Sequence, residues 1–168
     1  MQQVSSNSVN TSESRDLISE ESLIAFILQN GSKAASDIAS RVFDNDFTST
    51  LRQCIYRCCI DVCEESDIDS VLTNSLMSKA KYLGIESVVC SKESIDYIDE
   101  LRSSPVANGE IDSIVRNVKF WSVSRSLKER LLSSVNYIDS LTGNEGALDV
   151  ISNTEESVFG FLPDFIQG

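Results

Sequence analysis

The sequence predicts an all-α fold, a compact body of about five to six helices followed by a long antiparallel helical hairpin. Three observations carry that prediction. Apolar residues recur at three- and four-residue spacing through most of the chain, the signature of helices that bury one face. Almost nothing alternates with period two as a half-buried strand would. Residues 110–142 contain neither proline nor glycine, so nothing interrupts a helix there. At 168 residues, with 41 % apolar and 24 % charged residues, the chain suits one domain with a proper core, or a core plus an appended element.

Residues 1–16, MQQVSSNSVNTSESRD, are polar and serine-rich and hold too little apolar surface to offset the entropy of ordering, so a disordered polar tail is expected. The helical body is expected over 17–104. Leu17, Ile18, Leu23, Ile24, Ile27 and Leu28 open it, with a helix start near Ser19 to Ser22 and a stop at Asn30-Gly31. Ala34, Ala35, Ile38, Val42 and Phe43 give a short second helix that ends in the turn-favouring DNDF. Thr48 is the expected N-cap of a third, whose inward stripe is Leu51, Ile55, Cys58 and Val62. IDSVLTNSLMSKAKYLG reads as a fourth helix closed by Gly84, ESVVC is too short to decide, and SKESIDYIDELRSS is a fifth. Pro105 and Asn108-Gly109 place a boundary at 105–109. Residues 110–162 then form the hairpin, about the TGNEG turn, and 163–168 begin a linker.

The formal charge of −12 argues against strong direct nucleic-acid binding, which needs a basic stripe, and points to protein partners. No apolar run is long enough to span a membrane, and no secretory signal is visible at the N-terminus. Without histidine, Ser-His-Asp and Cys-His nucleophile pairs are excluded, and neither a GxxxxGK[ST] loop nor a GxGxxG turn occurs. No catalytic residue, cofactor site or metal site is expected in this segment. The cluster CIYRCCIDVC suggests zinc until it is laid on a helix. Cys54 and Cys58 then point near 300° and 340° while Cys59 and Cys63 point near 80° and 120° (all about), too far apart to converge on one ion. Reduced structural thiols are expected, with a redox role as the sharper alternative.

The long helix has an excess of apolar surface. One stripe runs Ile111, Ile114, Val115, Val118, Trp121, and a second runs Phe120, Val123, Leu127, Leu131, Val135, Ile138. Where they overlap, Val118, Phe120, Trp121 and Val123 point at about 0°, 200°, 300° and 140°, so the helix is apolar all round. A hairpin covers one side only. The remainder must meet either the chain's own body or a second molecule, and length favours the second. A helix of roughly 50 Å exceeds the width of a 90-residue body, whose radius of gyration is about 12 Å. Ile111, Ile114, Val115, Val118, Phe120, Trp121, Val123, Leu127 and Leu131 are therefore the candidate self-association interface. Arg116, Lys119, Arg125, Lys128 and Arg130 form a candidate charged interface that would pair with an acidic neighbour and weaken with salt.

An ordered series of segments carries a family resemblance: EESLIAFIL (20–28), RVFDNDF (41–47), Arg52 with Ile55-Tyr56, IDSVLTNSL (68–76), Leu83-Gly84, YIDELRSSPVANGEIDSIVRN (97–117) and EESVFGF (155–161). Over residues 18–162 the chain resembles the N-terminal domain of DnaB-type hexameric replicative DNA helicases. It departs from the pattern in having IESVVCS where Gly-Gly is usual and Val-Ala-Asn where Ser-Ala-Ala-Asn is common, as a divergent, phage-borne member would. The resemblance implies a body-plus-hairpin fold whose hairpins pair between subunits, from dimer toward hexamer, into a collar that docks primase and, in some systems, a helicase loader. It implies a cytoplasmic site in a bacterial cell, and ATP and Mg in a motor domain that this segment lacks. Two alternatives share the fold: a stand-alone adaptor or helicase inhibitor, and the helicase-binding domain of a primase. A GxxxxGK[ST] motif downstream of Gly168 would separate the helicase from these.

Overall fold

The structure, a computed structural model, describes the backbone of residues 6–160 and the side chains of residues 16–160. Among the described residues there are eight α-helices, two single 3-10 turns and no strand. They fall into two compact units, Met1–Lys119 and Phe120–Gly168.

The first unit is built around α1 (Ser6–Asn30). Every residue from Leu23 to Leu28 is buried, so this run packs on all sides, and α2, α3 and α6 surround it. The disordered tail expected over residues 1–16 is corrected from Ser6 onward, where the backbone is helical. No proline or glycine precedes Gly31, and a helix nucleated by its buried end propagates at the modest cost of one residue at a time. Residues 1–5 lie outside the described set.

α1 ends at Gly31 with φ 66°, a left-handed conformation that favours glycine. A Cβ there would lie 2.1 Å from the Ile68 carbonyl oxygen, so the loop before α4 can approach only a glycine. That loop is fastened by the Ser32 N–H to Ile68 O (2.9 Å), by the Ser32 hydroxyl to Ser66 O (2.7 Å) and by the Val71 N–H to Leu28 O (2.9 Å). Helix α2 (Ser32–Ala39) buries Ala34, Ala35 and Ile38. A 3-10 turn over Asp44–Asp46 follows, at the DNDF expected to turn.

Helix α3 (Thr50–Glu65) is capped by Ser49, whose hydroxyl oxygen accepts from the Arg52 N–H at 3.1 Å. Thr48, the expected cap, instead donates its hydroxyl to the buried carboxylate of Glu20 at 2.7 Å. Tyr56 donates to Val42 O at 2.6 Å and packs on Phe47 with ring centroids 4.7 Å apart. Helix α4 (Thr73–Leu83) closes on Gly84 at φ 75°, as expected. The undecided ESVVC is a helical turn, α5 (Glu86–Val89), and α6 (Lys92–Ser103) starts at Ser91, whose hydroxyl oxygen accepts from the Ser94 N–H.

Helix α7 (Ile111–Asp139) has 29 residues, about 43 Å at the helical rise, and α8 (Ala147–Phe159) follows it. The boundary expected at 105–109 is a turn, but the compact units part ten residues later, between Lys119 and Phe120. The first turns of α7 belong to the body because Val115 and Val118 complete its core. The expected linker at 163–168 and Leu162 lie outside the described residues. Among the described residues no helix is long and apolar enough to cross a membrane.

Candidate functional site

The predicted interface residues divide between the two units. In the first, Val115 and Val118 are buried in the body's core, with Ile111 and Ile114 half-buried against it. The sequence shows this stripe but not which neighbour covers it, and here the body covers Val115 and Val118 and half-covers Ile111 and Ile114. Two ion pairs hold the same segment to the body, Arg41 to Asp112 at 3.0 Å and Lys119 to the nearly buried Asp46 at 3.0 Å. Lys119 also sits 5.3 Å from the centre of the Phe43 ring, so its charge is used within the body. Arg116 is exposed.

The second unit holds the rest. The C-terminal part of α7 and α8 run antiparallel, as their bonds show: the Arg130 guanidinium donates to Ser157 O (2.9 Å), the Ser134 and Ser157 hydroxyls meet at 3.4 Å, and the Asn153 amide donates to the Tyr137 hydroxyl (3.1 Å). These bonds give the seam a polar component, and Val158 is the buried apolar residue of α8. Ser134 is only 5 % exposed and Ser122 4 %, while Phe120 is 60 % exposed and Leu148 79 %. Leu131, Leu132, Val135, Ile138, Ile151 and Phe159 are exposed as well. Trp121, Val123 and Leu127 are half-buried, with Trp121 packed edge-on to Phe120 at a centroid distance of 5.0 Å. Lys128 is exposed, and Arg125 and Arg130 are half-buried and engaged within the chain.

Helical angles show that the exposed apolar residues form faces. On α7, Phe120, Leu131 and Ile138 fall within about 20° of each other, Val135 about 60° and Leu132 about 120° from Phe120. On α8, Leu148, Ile151 and Phe159 lie roughly 120° to 180° from Asn153 and Ser157, which meet α7. On α7 the side that meets α8 holds Arg130, Ser134 and Tyr137 together with the half-buried Val123 and Leu127, and on α8 Asn153 and Ser157 make the bonds while Val158 is buried; Leu132, Leu148 and Ile151 stay exposed. Leu132, Val135, Ile138 and the α8 residues lay outside the sequence-based interface, because periodicity along one helix does not show which residues a neighbour leaves uncovered.

The thiols occupy the body. Cys58, Cys59 and Cys63 are buried, Cys54 and Cys90 half-buried, and all five are free. Burial pushes every one of them above its ordinary pKa, Cys58 to about 12, which suppresses the nucleophilic thiolate. Among the described residues no three Cys, Asp or Glu side chains gather as metal ligands would.

No protein-family model matches the sequence, and no curated protein matches it. Among solved structures, the chain is similar to the crystal structure of the N-terminal domain of DnaB helicase from Mycobacterium tuberculosis, with a TM-score of 0.70 and 16 % identity over 86 % of this chain and 96 % of that one.

Proposed function

We propose, from the all-α fold that this chain shares with the N-terminal domain of a DnaB helicase, that it is the collar domain of a replicative DNA helicase. Its work is mechanical. It pairs with a second copy through the outer faces of α7 and α8, biases six such chains toward a ring, and offers the ring's surface to a primase or a helicase loader in the bacterial cytoplasm. On this reading ATP and Mg belong to a motor domain outside these residues.

The observation that carries the proposal is the exposed apolar surface of the hairpin helices, on which Phe120, Leu132, Val135 and Leu148 are exposed while Ser122 and Ser134 are buried. A large exposed apolar face marks an interaction site. Covering a Leu- or Phe-sized side chain contributes roughly 1.5–3 kcal/mol, and a two-fold interface uses each residue twice. The four side chains just named, counted on both copies, contribute about 12–24 kcal/mol if fully covered, which is of the order needed to offset the roughly 4–15 kcal/mol that association costs. A second copy suits these faces because an isologous contact supplies both sides from one sequence.

The test is light scattering across a dilution series. A dimer or larger species at micromolar concentration is expected, moving toward monomer when Phe120→Ala and Leu132→Ala are combined. A species that stays monomeric at high concentration would remove the physical support for the collar, and a stop codon directly after Gly168 in the gene would favour the stand-alone adaptor.

A further inference from the structure

The chain has two Asn-Gly pairs, Asn30-Gly31 and Asn108-Gly109, and the structure sets them in opposite chemical situations. We propose that Asn108 is a site of spontaneous deamidation and isoaspartate formation, from which Asn30 is protected by its fold. The proposal is independent of the collar reading.

The reaction needs only the chain and water. The Gly109 backbone nitrogen attacks Cγ of Asn108, a C–N bond forms, and the side-chain nitrogen leaves as ammonia with the proton the backbone nitrogen gives up. Water then adds to either carbonyl of the resulting succinimide and breaks one ring C–N bond. Opening at one carbonyl gives aspartate; opening at the other gives isoaspartate, in which the main chain runs through the former side chain. The rate depends on whether the glycine nitrogen is free, whether the side chain can swing onto it, and whether the backbone can turn to allow the ring.

All three conditions favour Asn108. Both residues are exposed, and an added Cβ on Gly109 would meet nothing within 4 Å. The Gly109 N–H and the Asn108 amide make no hydrogen bond among the described residues. The 3-10 turn over Asn108–Glu110 is fastened by the Glu110 N–H to Ala107 O at 3.0 Å, one bond and an easily opened one. At Asn30 every condition fails. The Gly31 N–H is committed to Ile27 O at 2.8 Å, the Asn30 amide donates to Phe26 O at 2.9 Å, and Gly31 is buried with Ile68 O pressed against it.

The position gives the modification a consequence. Isoaspartate adds a carbon to the main chain just ahead of Asp112, Val115 and Val118, which register α7 on the body. Asn108 and Asn30 both border a cavity of about 430 Å³ that Lys33 and Asp37 also line, so deamidation at Asn108 adds a negative charge to its lining.

The full chain is incubated at mildly alkaline pH and physiological temperature and mapped by fragmentation that distinguishes isoaspartate from aspartate. Asn108 is expected to react at least about tenfold faster than Asn30, whose reaction waits on local opening of the helix end. In denaturant the two should converge, and Gly109→Ala, which has room for its methyl group, should slow the reaction at Asn108 severalfold in the folded chain. Equal native rates at the two sites, or a Gly109→Ala chain that reacts as fast as the parent, would overturn the proposal.

Discussion

Glu20 is fully buried in α1, 0 % exposed, and joins two distant parts of the body. Its carboxylate accepts the Thr48 N–H and hydroxyl and lies 3.5 Å from the Arg52 guanidinium, so it fixes the entry to α3 against the central helix. Burial raises its pKa from the ordinary 4.5, while the Thr48 bonds and Arg52 oppose the rise. Because the folded value is the higher one, this group's contribution to stability is greatest below 4.5 and declines as pH rises through the raised value. Removing the carboxylate strands its partners: Glu20→Ala is expected to cost about 3 kcal/mol by denaturant unfolding, and Glu20→Gln, which can still accept from the Thr48 N–H, distinctly less. The sequence marks Glu20 only as an acid near a helix start, because its partners lie 28 residues away in the chain.

At the scale of elements, α7 is one helix with two environments. Through Lys119 its apolar residues complete the body core; from Phe120 several large apolar residues are exposed, while Arg130, Ser134 and Tyr137 bond to α8. Periodicity sees a long helix correctly and cannot see this change, since the apolar spacing continues across it. The α7–α8 turn is organised by Glu145, whose carboxylate accepts the Thr142 N–H (3.0 Å), the Thr142 hydroxyl (2.9 Å) and the Gly143 N–H (2.9 Å). These bonds, the Thr142 N–H first, lower its pKa from 4.5 to about 2. The sign is that of a depressed acid: the turn's stabilisation is complete above 4.5 and is lost as pH falls toward about 2. Amide exchange at Thr142 and Gly143 should accelerate over that interval, and Glu145→Gln should show fast exchange already at neutral pH.

At the scale of the whole molecule, charge and apolar surface oppose each other. Each chain carries −12, so two copies repel, and on the proposed collar reading the attraction comes from the exposed apolar residues of the hairpin helices. The basic stripe expected to steer assembly is largely engaged within the chain, Lys119 on Asp46 and Arg130 on Ser157 O, while Arg116 and Lys128 are exposed. Association is therefore expected to strengthen as salt rises from low ionic strength, because screening removes net repulsion and leaves apolar contact intact. A dissociation constant that instead rises with salt, read by sedimentation, would return the interface to the charged residues.

The sequence alone determined the helical class, the order of the main helices, their stops at Gly31, Gly84 and Pro105, and that α7 is one long uninterrupted helix, because turn chemistry and hydrophobic period are local properties of the backbone. Only the tertiary structure decided that Val118 faces the core and Phe120 does not, that Glu20 is enclosed, and that one Asn-Gly pair is locked while the other is open. Those outcomes depend on which distant surface covers a residue. That is a property of packing, and the spacing of residues along one helix does not contain it.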